Sequence, residues 1–217
     1  MNINEIFTSL SGEPDGFGNQ GGLATFVRLQ GCNLNCTWCD TTRAQRPMPP
    51  LTMTVEEVAA ACTSRHVIIT GGEPLLQLEE VTQLIDLLCP YGRKEHVVTI
   101  ETNGSLPCPI YPAHTRYETF RLVVDYKLDS SGMNEHMTQE IFDNLFELEV
   151  IKFVIKDLQD YRQAKEVVLR NNHWSAKKIF SPIVRGGWPA VLAKEMIKDK
   201  FEEACFALQW HKLLDIR

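Results

Sequence analysis

The sequence predicts an α/β fold built on a mostly parallel sheet, on three observations. Short β-branched runs alternate with amphipathic helical stretches, the segments rich in Gly, Cys and polar residues follow the strands, and one crossover carries three prolines in six residues. Alternation of this kind implies right-handed crossovers in an open doubly wound sheet or in a complete or partial barrel. In all of these, chemistry gathers at the carboxyl ends of the strands.

Strands are expected at Ala24–Leu29, Val67–Thr70, Val97–Glu101, Leu122–Tyr126, Ile151–Ile155 and Lys178–Ser181, most of them apolar enough to be buried on both faces. Between them, Thr54-Val55-Glu56-Glu57 reads as a capping box opening a helix through Cys62. Leu76–Leu88 places Leu78, Val81, Leu84, Ile85 and Leu88 at helical spacing. Further helices are expected at Thr138–Glu147, Leu158–Arg170 and Pro189–Phe201, the last with Pro in its first turn. Pro107-Cys108-Pro109-Ile110-Tyr111-Pro112 replaces the helix due between the third and fourth strands, which argues for an irregular or partial (β/α) barrel. No repeat, low-complexity tract or linker divides the chain, so residues 1–217 read as one domain.

A chain of 217 residues, 44% hydrophobic and 23% charged, can bury a core without staples, which excludes disorder and a disulfide scaffold. No apolar run approaches the roughly 18 to 20 residues that cross a bilayer. Met1-Asn2-Ile3-Asn4-Glu5 lacks the basic start and apolar stretch of a signal peptide, so a cytoplasmic protein without a membrane partner is expected. A net charge of -6 argues against a broad grip on nucleic acid, while leaving room for a local cationic site for a small anion. The seven cysteines are an odd number in a chain with no secretory signal, so clustered thiols are read first as metal-binding or catalytic.

Cys32-Asn33-Leu34-Asn35-Cys36-Thr37-Trp38-Cys39 sets three thiols at C-x3-C-x2-C spacing directly after a strand. Three thiolates can each take one iron of a cubane cluster and leave the fourth iron open to a ligand. The alternatives are zinc, whose closed sites use four ligands, and a chance grouping of core cysteines. Gly71-Gly72-Glu73-Pro74 follows the next strand; its glycines allow a ligand to approach the backbone, although alone it reads equally as a turn opening a helix.

With these two motifs in register, the sequence resembles the radical S-adenosylmethionine (SAM) superfamily, with Trp38 as the aromatic residue before the last Cys. The resemblance implies a partial parallel barrel of that type, a [4Fe-4S] cluster on Cys32, Cys36 and Cys39, and SAM chelated to the open iron and cleaved to methionine and a deoxyadenosyl radical. Over its whole length the chain is similar to the 7-carboxy-7-deazaguanine synthase family. That likeness rests on Ser11-Gly12-Glu13, Phe26 to Gly31, Cys39-Asp40-Thr41, Ile100 to Gly104, Asp125-Tyr126-Lys127, Ser130-Ser131-Gly132 and Gln209-Trp210-His211-Lys212. It implies ring contraction of 6-carboxy-5,6,7,8-tetrahydropterin with loss of ammonia, in 7-deazapurine (queuosine) biosynthesis. Also implied are Mg2+ held through Thr41, an electron donor such as a flavodoxin or ferredoxin, and a homodimer.

By the same resemblance SAM contacts fall to Trp38, Cys39, Asp40, Gly71, Gly72, Glu73, Asp125, Tyr126, Lys127, Ser181, Pro182, Ile183 and Val184. Substrate contacts fall to Leu10, Ser11, Gly12, Glu13, Arg28, Thr70, Glu101, His211 and Arg217. The commoner family pattern has Gln where Ser11 stands and Ser-Pro-Lys where Asp125-Tyr126-Lys127 stands. Arg28 suits a carboxylate by residue type, or equally an ion pair with a nearby Glu. Cys62, Cys89 and Cys205 fall in apolar patterns and read as core, while Cys108 has no motif. Two other functions compete: a glycyl-radical enzyme activase, which acts on a protein chain, and a non-catalytic zinc-binding module.

Overall fold

The computed structural model describes residues 1–15, 17–45, 51–90, 95–109 and 119–216. Among these the strands are β1 (Asn2–Leu10), β2 (Leu23–Leu29), β3 (Leu51–Thr52), β4 (His66–Gly71), β5 (Val97–Thr102), β6 (Phe120–Tyr126), β7 (Val150–Ile155), β8 (Lys177–Pro182) and β9 (Cys205–Phe206). The helices are α1 (Thr42–Gln45), α2 (Val55–Ala61), α3 (Leu78–Leu88), α4 (Gln139–Asp143), α5 (Leu158–Arg170), α6 (Trp188–Asp199) and α7 (Trp210–Leu214). One sheet runs β3-β1-β2-β4-β5-β6-β7-β8-β9. From β2 onward every pairing is parallel; β1 is antiparallel to β2 and β3. The order ends at two edges and does not close, as expected of a partial barrel.

All six expected strands are present. Three were not expected: β1, whose alternation is broken by the run Asn4-Glu5, and the two-residue strands β3 and β9. The capping box forms, with the Glu57 amide donating to Thr54 Oγ1 at 3.2 Å and the Thr54 amide to Glu57 Oε2 at 2.8 Å. Helix α4 is shorter than its apolar spacing suggests. The chain turns at Asn144, and the buried Glu149 carboxylate takes the Phe146 and Leu122 amides instead. Pro107–Pro109 is non-helical, while Ile110, Tyr111 and Pro112 lie outside the described residues. No helix among the described residues is long and apolar enough to cross a membrane.

Period-two alternation divides each strand between two faces. Val27, Leu29, Ile69, Ile100, Leu122, Val124, Ile151 and Phe153 belong to the main core with the helices. On the opposite face Val123, Val150, Ile179 and Ala207 form a small apolar layer. Arg28, Thr70 and Glu101 continue the row of Val123 and Val150 onto the preceding strands, and two residues further along Asp125 and Lys152 pair above that row at the carboxyl rim. Cys62 and Cys89 are buried as expected. Cys205 is exposed, because β9 is the sheet edge, so the core reading fails there.

Candidate active site

The rim encloses a cavity of about 440 Å³, into which Cys32, Cys36 and Cys39 all face. Their loop is clamped by two neighbouring rim segments. After β6, the Ser130 carbonyl accepts from Thr37 Oγ1 at 2.7 Å, the Ser131 carbonyl from the Thr37 amide at 3.0 Å, and Ser130 Oγ from Trp38 Nε1 at 3.2 Å. After β5, Asn103 Nδ2 donates to Asn33 Oδ1 at 3.0 Å, and Asn33 Nδ2 donates to Ser105 Oγ at 2.8 Å. Burial raises all three thiol pKa values, with Lys127 acting in the opposite direction. Thiols in this setting become good ligands once cationic iron offsets their charge. No three His, Cys, Asp or Glu among the described residues are grouped to hold a single metal ion. Three thiols on one cavity wall match the three protein ligands that a cubane cluster with one open iron takes.

The Gly-Gly-Glu turn is packed against the start of the cysteine loop. A Cβ on Gly72 would lie 1.7 Å from the Gly31 carbonyl oxygen, and Gly71 has φ +128°. The Glu73 amide donates to that same carbonyl at 2.8 Å. Glu73 itself is fully buried and turns away from the cavity. Its oxygens accept from the Leu75 amide, Thr102 Oγ1 and the Asn103 amide at 2.7–2.9 Å, so it joins the turn to the end of β5 and to the segment leading into α3.

Across the cavity lies a charged floor. Asp125 Oδ2 accepts from Lys127 Nζ at 2.6 Å, and Asp125 Oδ1 lies 3.0 Å from Lys152 Nζ. Lys152 also pairs with Glu13 Oε2, while Glu13 Oε1 accepts from Gln209 Nε2 at 2.7 Å. Burial alone would raise the Asp125 pKa, but the two lysines outweigh it and hold the carboxyl below its ordinary value. Glu101 accepts from Thr70 Oγ1 at 2.8 Å; burial first, then the Glu13 charge, pushes its pKa up to about 7. Arg28 pairs with Glu5 at 2.9 Å and donates from Nη1 to Thr41 Oγ1 at 3.0 Å, so the ion pair and a place in the cavity wall coexist. Its Nη2 has no protein partner among the described residues. Asp40 pairs with Lys212 at 2.8 Å; burial opposes ionisation there, but Lys212 holds the carboxyl well below the usual range.

Of the residues nominated by resemblance, Leu10, Gly12, Glu13, Arg28, Asp40, Thr41, Thr70, Gly71, Gly72, Glu101, Asp125, Lys127 and His211 line the cavity with the three cysteines. Ser11 does not. Its amide and carbonyl are used in the turn to Gly21 and Gly22, and it is buried. Tyr126 falls on the helix side of β6, packed on Phe142 and Phe153 at 5.1 and 5.2 Å between ring centroids. Trp38 stands behind the wall with Lys127 Nζ 5.6 Å from its ring centre. Ser181, Pro182, Ile183 and Val184 are at the end of β8 but outside the lining, and Arg217 lies outside the described residues. Lys152 and Gln209 are among the lining residues that were not nominated as contacts. The signal for Lys152 was a lone cation inside Val150-Ile151-Lys152-Phe153-Val154-Ile155.

The model of the radical SAM superfamily matches residues 26–168, more than half of the chain. Full-length similarity extends to proteins named 7-carboxy-7-deazaguanine synthase. That of Clostridium acetobutylicum is 33% identical over 97% of this chain and 94% of its own length. The Methanospirillum hungatei protein is 35% identical over 100% and 86%, and the Chlorobaculum tepidum protein 34% over 99% and 94%. The crystal structure of Streptococcus suis SuiB shares the fold, with a TM-score of 0.55 at 16% identity over 84% of this chain and 47% of that one. Matched end to end by these synthases, and with three thiols and a Gly-Gly turn facing one rim cavity, the chain belongs to the radical SAM superfamily and, within it, to the 7-carboxy-7-deazaguanine synthase family.

Proposed function

We propose that this chain, acting as one domain, converts 6-carboxy-5,6,7,8-tetrahydropterin to 7-carboxy-7-deazaguanine with release of ammonia. The observation that carries this reading is a single cavity of small-molecule size in which the thiol wall faces a wall of polar groups able to read a pterin. An activase working on a protein chain would need an open groove, whereas here Gln209, His211 and Lys212 cover one side of the cavity.

A cluster on Cys32, Cys36 and Cys39 together with SAM supplies, when bound, the one-electron chemistry that removes a hydrogen atom from the substrate. The protein's part is recognition and exclusion. Lys127 suits the SAM carboxylate, and Gly71 and Gly72 let SAM approach the backbone. Arg28 offers Nη2 to the substrate carboxylate. Glu101, and Glu13 with it, give acceptors for pterin N–H groups, and His211 covers them from the C-terminal helix. Glu73 is a positioning residue that keeps the Gly-Gly turn against the cysteine loop. Thr41 would give its hydroxyl oxygen to Mg2+ in place of Arg28; a hard cation bound to one protein oxygen completes its shell with water and substrate oxygens. An electron donor of the flavodoxin or ferredoxin kind, a homodimer and a cytoplasmic location belong to the same reading.

Anaerobically reconstituted protein, given a reductant, SAM, Mg2+ and the pterin, is expected to form the deazaguanine. Iron-sulfur absorbance with no product from the pterin refutes the substrate. Stoichiometric zinc without that absorbance refutes the cluster.

A further inference from the structure

The face of β7 that meets the cavity carries Val150, Lys152 and Val154. An aliphatic residue between the two valines would complete that row with less desolvation. A lysine only 7% exposed has lost most of its hydration, and a buried ion pair offsets that cost only with good geometry. Lys152 is met from both sides, by Glu13 Oε2 and by Asp125 Oδ1. The second oxygen of each carboxylate is committed elsewhere, Glu13 Oε1 to Gln209 and Asp125 Oδ2 to Lys127. The five side chains therefore form one row, hydrogen-bonded at Gln209–Glu13, Lys152–Glu13 and Lys127–Asp125 and joined at Lys152–Asp125 by an ion pair. It runs from the C-terminal segment, beside the proposed pterin contacts, to Lys127, beside the cysteine loop, with Lys152 at its centre.

We propose that Lys152 is a positioning residue that sets the spacing between the pterin-holding and SAM-holding walls, and so couples SAM cleavage to turnover of the substrate. The proposal rests on the 7-carboxy-7-deazaguanine synthase reading of the cavity. Lys152 touches neither reacting group in this account; it acts through Glu13 and Asp125. A misplacement of about 1 Å between reacting atoms costs on the order of 100-fold in rate, and a radical formed beside a misplaced substrate ends as free 5'-deoxyadenosine rather than product.

The test uses the reconstituted holoenzyme and the variants Lys152→Met, Lys152→Gln and Lys152→Arg, with 5'-deoxyadenosine and product measured in the same reaction. The uncharged variants are expected to load iron and bind SAM as the parent does, while releasing roughly tenfold or more 5'-deoxyadenosine per product. Lys152→Arg, whose fork can span two carboxylates, is expected to recover most of the coupling. A parental ratio in an uncharged variant, with only a lower melting temperature, overturns the proposal. Failure of both uncharged variants to load iron overturns it too, since Lys152 would then serve folding alone. If the parent itself makes no product from the pterin, the substrate reading fails instead, a result separable from any effect of Lys152.

Discussion

Replacing Gly72 with Ala should disconnect the Gly-Gly-Glu turn from the cysteine loop. The added Cβ would lie 1.7 Å from the Gly31 carbonyl oxygen, 2.4 Å from its carbon and 3.0 Å from the Cys32 nitrogen. To bring the oxygen to even 3.0 Å, the two backbones must separate by about 1.3 Å. No side chain can relieve this overlap, because all three atoms are main chain. The separation breaks or stretches the bond from the Glu73 amide to the Gly31 carbonyl and moves Cys32 relative to the cavity. A shift of this size should lower SAM cleavage by about 100-fold or more, with a destabilisation of about 1–3 kcal/mol from overpacking. The assay is iron content and SAM cleavage after anaerobic reconstitution, alongside a thermal melt. Gly187→Ala is the control, since Gly187 has φ -85° and nothing within 4 Å of its added Cβ. A Gly72→Ala protein with parental iron and parental cleavage would refute the reasoning.

Cys36→Ala should abolish SAM cleavage altogether, measured as 5'-deoxyadenosine. Arg28→Ala should raise the KM for the pterin by about 30- to 100-fold, the loss expected for a charge-assisted pair, while uncoupled SAM cleavage stays detectable; its disappearance would show that Arg28 holds something other than the substrate carboxylate. Because Glu101 has a pKa pushed up to about 7, it is protonated below that pH and an acceptor above it. The kcat/KM for the pterin should therefore rise as pH increases through about 7, and Glu101→Gln should lack that limb. Thr54→Ala removes one half of the capping box of α2 and should cost about 1 kcal/mol, a drop of about 2–4 °C in melting temperature without effect on turnover.

The parallel strands were legible because residues buried on both faces leave long β-branched runs, as in Val150–Ile155. Strand β1 was not, since its alternation breaks at polar residues whose partners, such as Arg28 for Glu5, come from another strand. The cysteine and Gly-Gly-Glu motifs were legible for a different reason: their spacing is local, so the sequence carries it directly. Which neighbour of a cavity residue faces inward depends on strand phase, and that separates Tyr126 from Asp125 and Lys127 on either side of it. Glu73 shows the limit of motif reading. Its place in the motif suggested ligand contact, while its burial under three donors gives it a supporting role. Lys152 and Gln209 required the tertiary fold to be placed in the site, because each meets Glu13, well over a hundred residues away in the chain.

The clamp on the cysteine loop has a consequence for the life of the protein around oxygen. Most of the bonds that shape the loop come from amide, hydroxyl and carboxamide groups of Asn33, Thr37, Trp38, Asn103, Ser105, Ser130 and Ser131, rather than from sulfur. A cluster destroyed by air therefore takes little of the loop's scaffolding with it. The thiols stay presented in the same order at the same rim, and repair becomes a matter of delivering iron and sulfide to a template that is already folded.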